Sequence, residues 1–306
     1  MVINRTLRYG RIVVSVVAFS AATSGLACYG MLWPRVAAWM ESIQLIPATL
    51  TLSLTTFVIW LVVTLLFGRI YCSSVCPLGT MQDIIACLHR CGRHDSSKDY
   101  HYSPPLNRWR YGSLLIVLGS LMSGWLLYIP ALLSPWSAYE RIAVNCLRPV
   151  VGEGINAFSE LGELTSLWHT PPVTVAIASA LGAVVAVVTL IGIGVLAARN
   201  GRTFCNTLCP AGSLLSFVSN YAVFKIDIDT DKCIQCRRCE HVCKSACINL
   251  TDHVVDGSRC VNCFDCINVC PNDAIRYTTR RKQLSIPMMQ QTTTSLTMTS
   301  ENETIS

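Results

Sequence analysis

The sequence predicts an α-helical membrane protein, four transmembrane helices in two parallel-repeat hairpins, ending in a small α+β domain. Three observations carry that prediction: four long uncharged apolar stretches, a duplicated cysteine motif, and 17 cysteines gathered in short-spaced groups. Of 306 residues, 52% are hydrophobic and 14% charged, against roughly 25% charged in a soluble globule. Cysteines bunched beside basic residues point to metal ligation in a reducing compartment rather than to disulfides. The net charge of +6 fits cations flanking membrane spans and argues for no nucleic-acid partner.

The apolar stretches run over approximately Ile12–Trp33, Pro47–Phe67, Tyr111–Leu133 and Val173–Ala198, and none contains Asp, Glu, Lys, Arg or His. Each is long enough to cross a bilayer, which takes about 20 helical residues. The lack of ionisable groups argues against a pump or ion-coupled transporter, which places such groups in the membrane. The lack of histidine argues against b-type haem, whose axial ligands would come from the spans.

Basic residues of the short loops set the orientation. Arg5, Arg8 and Arg11 precede the first span; Arg69, Arg90, Arg93, Lys98, Arg108 and Arg110 lie between the second and third; Arg199 and Arg202 follow the fourth. The opposite loops hold Arg35, then Arg141 and Arg148 among Glu140, Glu153, Glu160 and Glu163. A bacterial cytoplasmic (inner) membrane location follows, multi-pass in membrane lipid, with both termini cytoplasmic. Trp33, Trp39, Trp136, Tyr139 and Trp168 are expected in an outer aromatic belt, and Tyr9, Tyr71, Trp109 and Tyr111 in an inner one. The Arg-rich start running into Gly25-Leu26-Ala27-Cys28 has the outline of a cleaved signal. Cleavage would reverse the charge bias of every later loop, so the segment is read as a retained span.

Gly68-Arg69-Ile70-Tyr71-Cys72-Ser73-Ser74-Val75-Cys76-Pro77 recurs as Gly201-Arg202-Thr203-Phe204-Cys205-Asn206-Thr207-Leu208-Cys209-Pro210. Each copy follows the second span of a pair, so the two hairpins share one orientation, related by an axis along the membrane normal. Leu78, Met81, Ile84, Ile85 and Leu88, then Leu214, Leu215, Phe217, Val218 and Tyr221, have the spacing of short helices lying along the inner surface. The membrane domain is expected over 1–224, the cysteine-rich domain over 225–280, and a disordered Thr/Ser/Gln-rich tail over 281–306.

Within the second domain Cys233, Cys236, Cys239 and Cys243 form C-x2-C-x2-C-x3-C, and Cys260, Cys263, Cys266 and Cys270 repeat it before Pro271. Three thiolates on a tight loop reach one cubane, while the fourth, at a helix start, points to the other. Cys233, Cys236, Cys239 and Cys270 are thus expected to hold one 4Fe–4S cluster, and Cys260, Cys263, Cys266 and Cys243 a second. A zinc ribbon, with two separated C-x2-C pairs, fits this spacing poorly. Residues 225–280 resemble a bacterial-type two-cluster ferredoxin, with Lys244 where the first motif usually has Pro. Cys247 aligns with Ala274 of the second repeat and is read as a small buried thiol; His241 is read as a surface residue.

Cys72/Cys76 and Cys205/Cys209 are four apart, so each pair shares a helix face. The repeat axis can bring all four together just inside the membrane. They then suit a further iron–sulfur centre, copper or another soft metal, or a redox-active dithiol; packing residues are the plain alternative. Cys87 and Cys91 align with Asn220 and Phe224 and are read as incidental.

Four spans, two C-x3-C-P motifs and a terminal two-cluster ferredoxin resemble the NapH-type membrane ferredoxin family over nearly the whole chain. The membrane half also resembles parts of NosR-type and CcoG-type proteins. The resemblance implies an electron-transfer subunit, a quinol dehydrogenase component relaying electrons from membrane quinol toward a reductase with a partner ferredoxin. The alternative is a maturation factor that reduces a metal, copper by preference, held by Cys72, Cys76, Cys205 and Cys209. No acid–base pair, nucleophile constellation or phosphate loop suggests bond-making catalysis.

Overall fold

In a computed structural model the chain is described over residues 2–30, 32–50, 54–91, 100–123, 128–165, 173–175 and 179–279. The expected tail, Arg93, Lys98 and Trp168 lie outside these residues. The first half of the chain is helical: α1 (Val2–Ala27), α2 (Trp33–Ser42), α3 (Leu45–Leu50), α4 (Leu54–Phe67), α5 (Ile70–Ser74), α6 (Pro77–Cys91), α7 (Asn107–Ser123) and α8 (Tyr128–Leu133). Next come α9 (Pro135–Ile142), a π-helical turn (Ala143–Leu147), α10 (Arg148–Thr165), α11 (Ala180–Asn200), α12 (Thr203–Thr207) and α13 (Pro210–Ser219).

Among the described residues two segments are long and apolar enough to cross a membrane, Thr6–Ala27 and Ala180–Asn200; Leu54–Phe67 is apolar but shorter. Large apolar side chains face outward on α1 (Val13, Val17), α4 (Val58, Val62), α7 (Leu115, Ile116) and α11 (Val184, Val188). Element ends differ from the expected ones for local reasons. The first apolar helix stops at Ala27 rather than Trp33, and the chain turns through Gly30 at φ +116°. The fourth begins at Ala180 rather than Val173, where the Ser179 hydroxyl accepts from the Gly182 amide at 2.9 Å. It ends at Gly201, whose φ of +65° takes the chain out of the helix.

Three aromatic assignments are corrected. Trp136 (2% exposed) and Tyr139 (1%), expected in the outer belt, and Tyr71 (1%), expected in the inner one, are core residues. Tyr139 shares a hydrogen bond with the Thr23 hydroxyl at 2.5 Å, and Tyr71 donates to Gln44 Oε1 at 2.6 Å. The segments carrying Met40, Leu45, Trp136 and Tyr139, read as outer loops, therefore fold inward onto the duplicated cysteines. The expected surface helix α6 follows suit in part. Leu78 and Met81 are buried in that core, while Ile84 and Leu88 stay outside.

The C-terminal domain contains β1 (Lys225–Ile228), α14 (Arg238–His241), β2 (Ile248–Asn249), β3 (Val254–Val255), α15 (Asp265–Val269) and β4 (Ile275–Thr278). β1 pairs antiparallel with β4, from Lys225↔Thr278 to Ile228↔Ile275, and β2 with β3. Each ribbon thus joins one strand from either cysteine repeat, and the two repeats close around a single core containing Ile226, Ile228, Ile248, Val255, Phe264 and Ile275.

Candidate functional site

Two cavities open inside the C-terminal domain. The first, about 350 Å³ of atom-free space, is lined by Cys233, Cys236, Cys239 and Cys270. The second, about 310 Å³, is lined by Cys243, Cys260, Cys263 and Cys266, with Cys247. Each space is lined by three cysteines of one loop and the fourth cysteine of the other. Local backbone explains how short loops wrap them. Gln235 and Arg237 flank Cys236 in left-handed conformation (φ 52° and 59°), and Asn262 and Phe264 do the same around Cys263 (50° and 62°). Left-handed non-glycine residues cost energy and persist only where surroundings demand them; here they recur at equivalent positions of both loops.

The donors fit polynuclear clusters better than single ions. Among the described residues no three His, Cys, Asp or Glu side chains converge closely enough for one metal ion, and the thiols instead stand around a void. Burial pushes the Cys239 and Cys263 thiols up to about 12, so cluster assembly displaces protons. A 4Fe–4S group bound in either cavity supplies one-electron redox chemistry. Cys247 is buried at 2% exposure, like Ala274, its repeat partner. Its sulfur lies 3.4 Å from Cys243 Sγ, and its hydrogen bond pulls the Cys243 thiol below its ordinary value. It is a buried thiol as expected, but it sits on the cavity wall.

The C-x3-C-P cysteines gather in the core of the helical domain. Cys72, Cys76, Cys205 and Cys209 are all at most 5% exposed and belong to one cluster with Tyr71, Leu78, Trp136, Phe204 and Leu215. Two fully buried arginines stitch the copies together by crossing over. Arg69 donates to the Cys205 carbonyl (3.2 Å) and Asn206 Oδ1 (2.8 Å), and Arg202 donates to the Cys72 carbonyl (2.5 Å). Gly79 and Gly212 make room: a Cβ at either would collide with the Cys72 or the Cys205 carbonyl oxygen, respectively. Burial pushes Cys205 up to about 11 and Cys76 and Cys209 higher still. Such thiols are poor nucleophiles, which weighs against a thiol-exchange site.

Charges dock the cysteine-rich domain to the helices. Asp83 on α6 accepts from Arg11 (2.6 Å) and Arg202 (2.8 Å) and faces Lys244 at 3.5 Å. Burial would raise its carboxyl, but Arg202 first, then Lys244 and Arg11, hold it far below the usual range. Asp265 pairs with Arg8 (2.9 Å) and Lys244 (3.2 Å). Arg69 and Arg110 both reach Ser258. Sequence reading missed Asp83, although it is the lone acidic residue between Gly68 and Cys91. It took Arg69 and Arg202 as topology markers and as part of the duplicated motif, without assigning either a contact. His241, expected at the surface, is half-buried at this junction, its carbonyl accepting from Arg90 and the Tyr100 amide.

Comparison with known proteins places these features. A family profile described as "4Fe-4S binding domain" matches residues 49–90 and 180–228, the two segments carrying the C-x3-C-P motifs. The chain is 28% identical to the ferredoxin-type protein NapH of Haemophilus influenzae, over 70% of this chain and 60% of that one. It is 27% identical to the putative electron transport protein YccM of Escherichia coli, over 65% and 48% respectively. These matches support a NapH-type ferredoxin family for the chain. An uncharacterised protein of Methanocaldococcus jannaschii shares 48% identity over 40 residues, 13% of this chain and 16% of that one. The chain spans about half the length of the NapH and YccM relatives. No solved structure matches it. The matched segments carry the buried thiol core, while the cysteines that line the two cavities lie beyond them.

Proposed function

We propose that the chain is a membrane-bound electron relay between the quinone pool and a partner oxidoreductase. Cys233, Cys236, Cys239 and Cys270 hold an outer 4Fe–4S cluster, and Cys243, Cys260, Cys263 and Cys266 an inner one. One observation carries the reading: the two cysteine cavities sit at different depths. Cys263 packs against the core that holds Cys72, Cys76, Cys205 and Cys209, whereas Cys236 is exposed beside Ile234, itself 61% exposed. With clusters bound, the inner site would stand nearer the helical domain and the outer one nearer a soluble partner, a ferredoxin or reductase subunit. The name of the Escherichia coli relative, a putative electron transport protein, agrees with this role. The outward apolar faces of α1, α4, α7 and α11 support four crossings in the inner membrane. In the test, anaerobically purified protein, expected to hold about eight irons per chain, is mixed with a quinol analogue and with quinone. Electron exchange in at least one direction is the expected result, and none in either removes the quinone from the account.

A second reading has its own support in the buried four-thiol core. Exclusion of water suits a soft metal such as copper, reduced by the clusters, for which Cys72, Cys76, Cys205 and Cys209 would have to lose their protons and draw closer together. Metal analysis of a Cys72→Ser/Cys205→Ser variant separates the two. Loss of a non-iron metal with intact ferredoxin clusters favours maturation, and unchanged metal content favours the relay.

A further inference from the structure

A cleft of about 1570 Å³ of atom-free space opens where α1, α6 and the cysteine-rich domain meet. Its inner wall is charged: Arg8, Arg11, Arg90 and Lys244 stand among Asp83 and Asp265, with cations in excess. Its other wall is apolar, made by Ile12, Val16 and Ile84. Val16 and Ile84 are 56% and 41% exposed, and their outward neighbours Val13 and Leu88 reach 61% and 68%. A polar interior with an apolar mouth suits a molecule with a polar head and a hydrocarbon tail. Tyr100 supplies an independent sign of a ligand. It lines the cleft at 6% exposure, and its hydroxyl has no hydrogen-bond partner among the described residues. A buried hydroxyl left unpaired is costly, and an oxygen-bearing head group would remove that cost.

We propose that this cleft binds the head group of a membrane quinone. The proposal rests on the relay reading above and assigns its quinone to a place. One observation favours a quinone over an anionic phospholipid. Lys244 directly follows Cys243, and Asp265 directly precedes Cys266, both assigned to the inner cluster. A redox-active head group there lies one residue from two of that cluster's anchors, a proximity that serves no purpose for a structural lipid.

The test labels the full-length purified protein, in lipid nanodiscs, with a photoreactive quinone analogue and maps the adducts by mass spectrometry. Adducts on α1 and α6 are expected, competed by unlabelled quinone and not by phosphatidylglycerol. Val16→Trp, at the open mouth, should cut labelling about tenfold; Tyr100→Phe, which removes one hydrogen bond, should weaken analogue binding about threefold to tenfold. Adducts elsewhere, labelling unchanged in both variants, or competition by phosphatidylglycerol would each overturn the proposal. The relay assay fails independently. Adducts in the cleft without electron exchange would leave the binding site and remove the relay, whereas exchange without adducts there would do the reverse.

Discussion

At the scale of single residues, Asp83 carries the most consequence per atom. Arg11, Arg202 and Lys244 all converge on one carboxylate that is largely out of water. Removing one partner of a buried ion pair is expensive because the others stay behind uncompensated. Asp83→Asn should therefore lower stability by about 3 kcal/mol or more, read as a lower thermal midpoint in detergent. The sign with pH follows from its depressed carboxyl. The stability it contributes is fully present above the unfolded value of about 4 and is lost as pH falls below it toward the folded value. The Asn variant should lack that acid-side slope, and a slope identical to wild type would show that Asp83 is not its source. A milder outcome is expected at Cys247. Cys247→Ala mimics Ala274 of the other repeat and should leave iron content unchanged; loss of one cluster would make Cys247 a ligand after all.

At the scale of elements, the duplicated Gly-Arg…Cys-x3-Cys-Pro unit behaves as a built joint. Gly212→Ala puts a methyl group against the Cys205 carbonyl and 2.9 Å from an Arg69 guanidinium nitrogen. Little folded protein should be recovered from it. Gly192→Ala, in α11 with nothing within 4 Å, is the control; by helix propensity it should be neutral or up to about 1 kcal/mol stabilising. Comparing monodisperse yield of the two tests the joint. This unit was legible in the sequence because repetition needs no tertiary knowledge, and so were the two cysteine sets, fixed by loop geometry. The inward fold of α2, α3 and α9 was not. An aromatic at the end of an apolar stretch looks the same whether it faces headgroups or a core. For Tyr139 one deciding partner, Thr23, is 116 residues away. The ion-pair hub was hidden for the same reason, since Arg11, Asp83, Arg202 and Lys244 come from four separate stretches.

At the scale of the whole molecule, helices and cysteine-rich domain act as one body. Arg69, Arg110, Asn262 and Tyr277 join them by hydrogen bonds at several points, and the Asp83 and Asp265 ion pairs add to these. Expressed without its helices, the segment 225–280 should thus fold less stably and lose iron faster than the full chain, as iron release to a chelator would report. Reporter fusions at either end test the orientation. Alkaline phosphatase should be inactive at both termini, and activity at either one reverses the orientation read from the loop charges. The unequal depth of the two cavities has a further effect on how the protein ages in air. Molecular oxygen meets the exposed Cys236 rim directly, while Cys243, Cys260 and Cys266 are buried near the charged junction. Aerobic damage should strip the outer site first, leaving a chain still wired to the bilayer but mute toward its soluble acceptor.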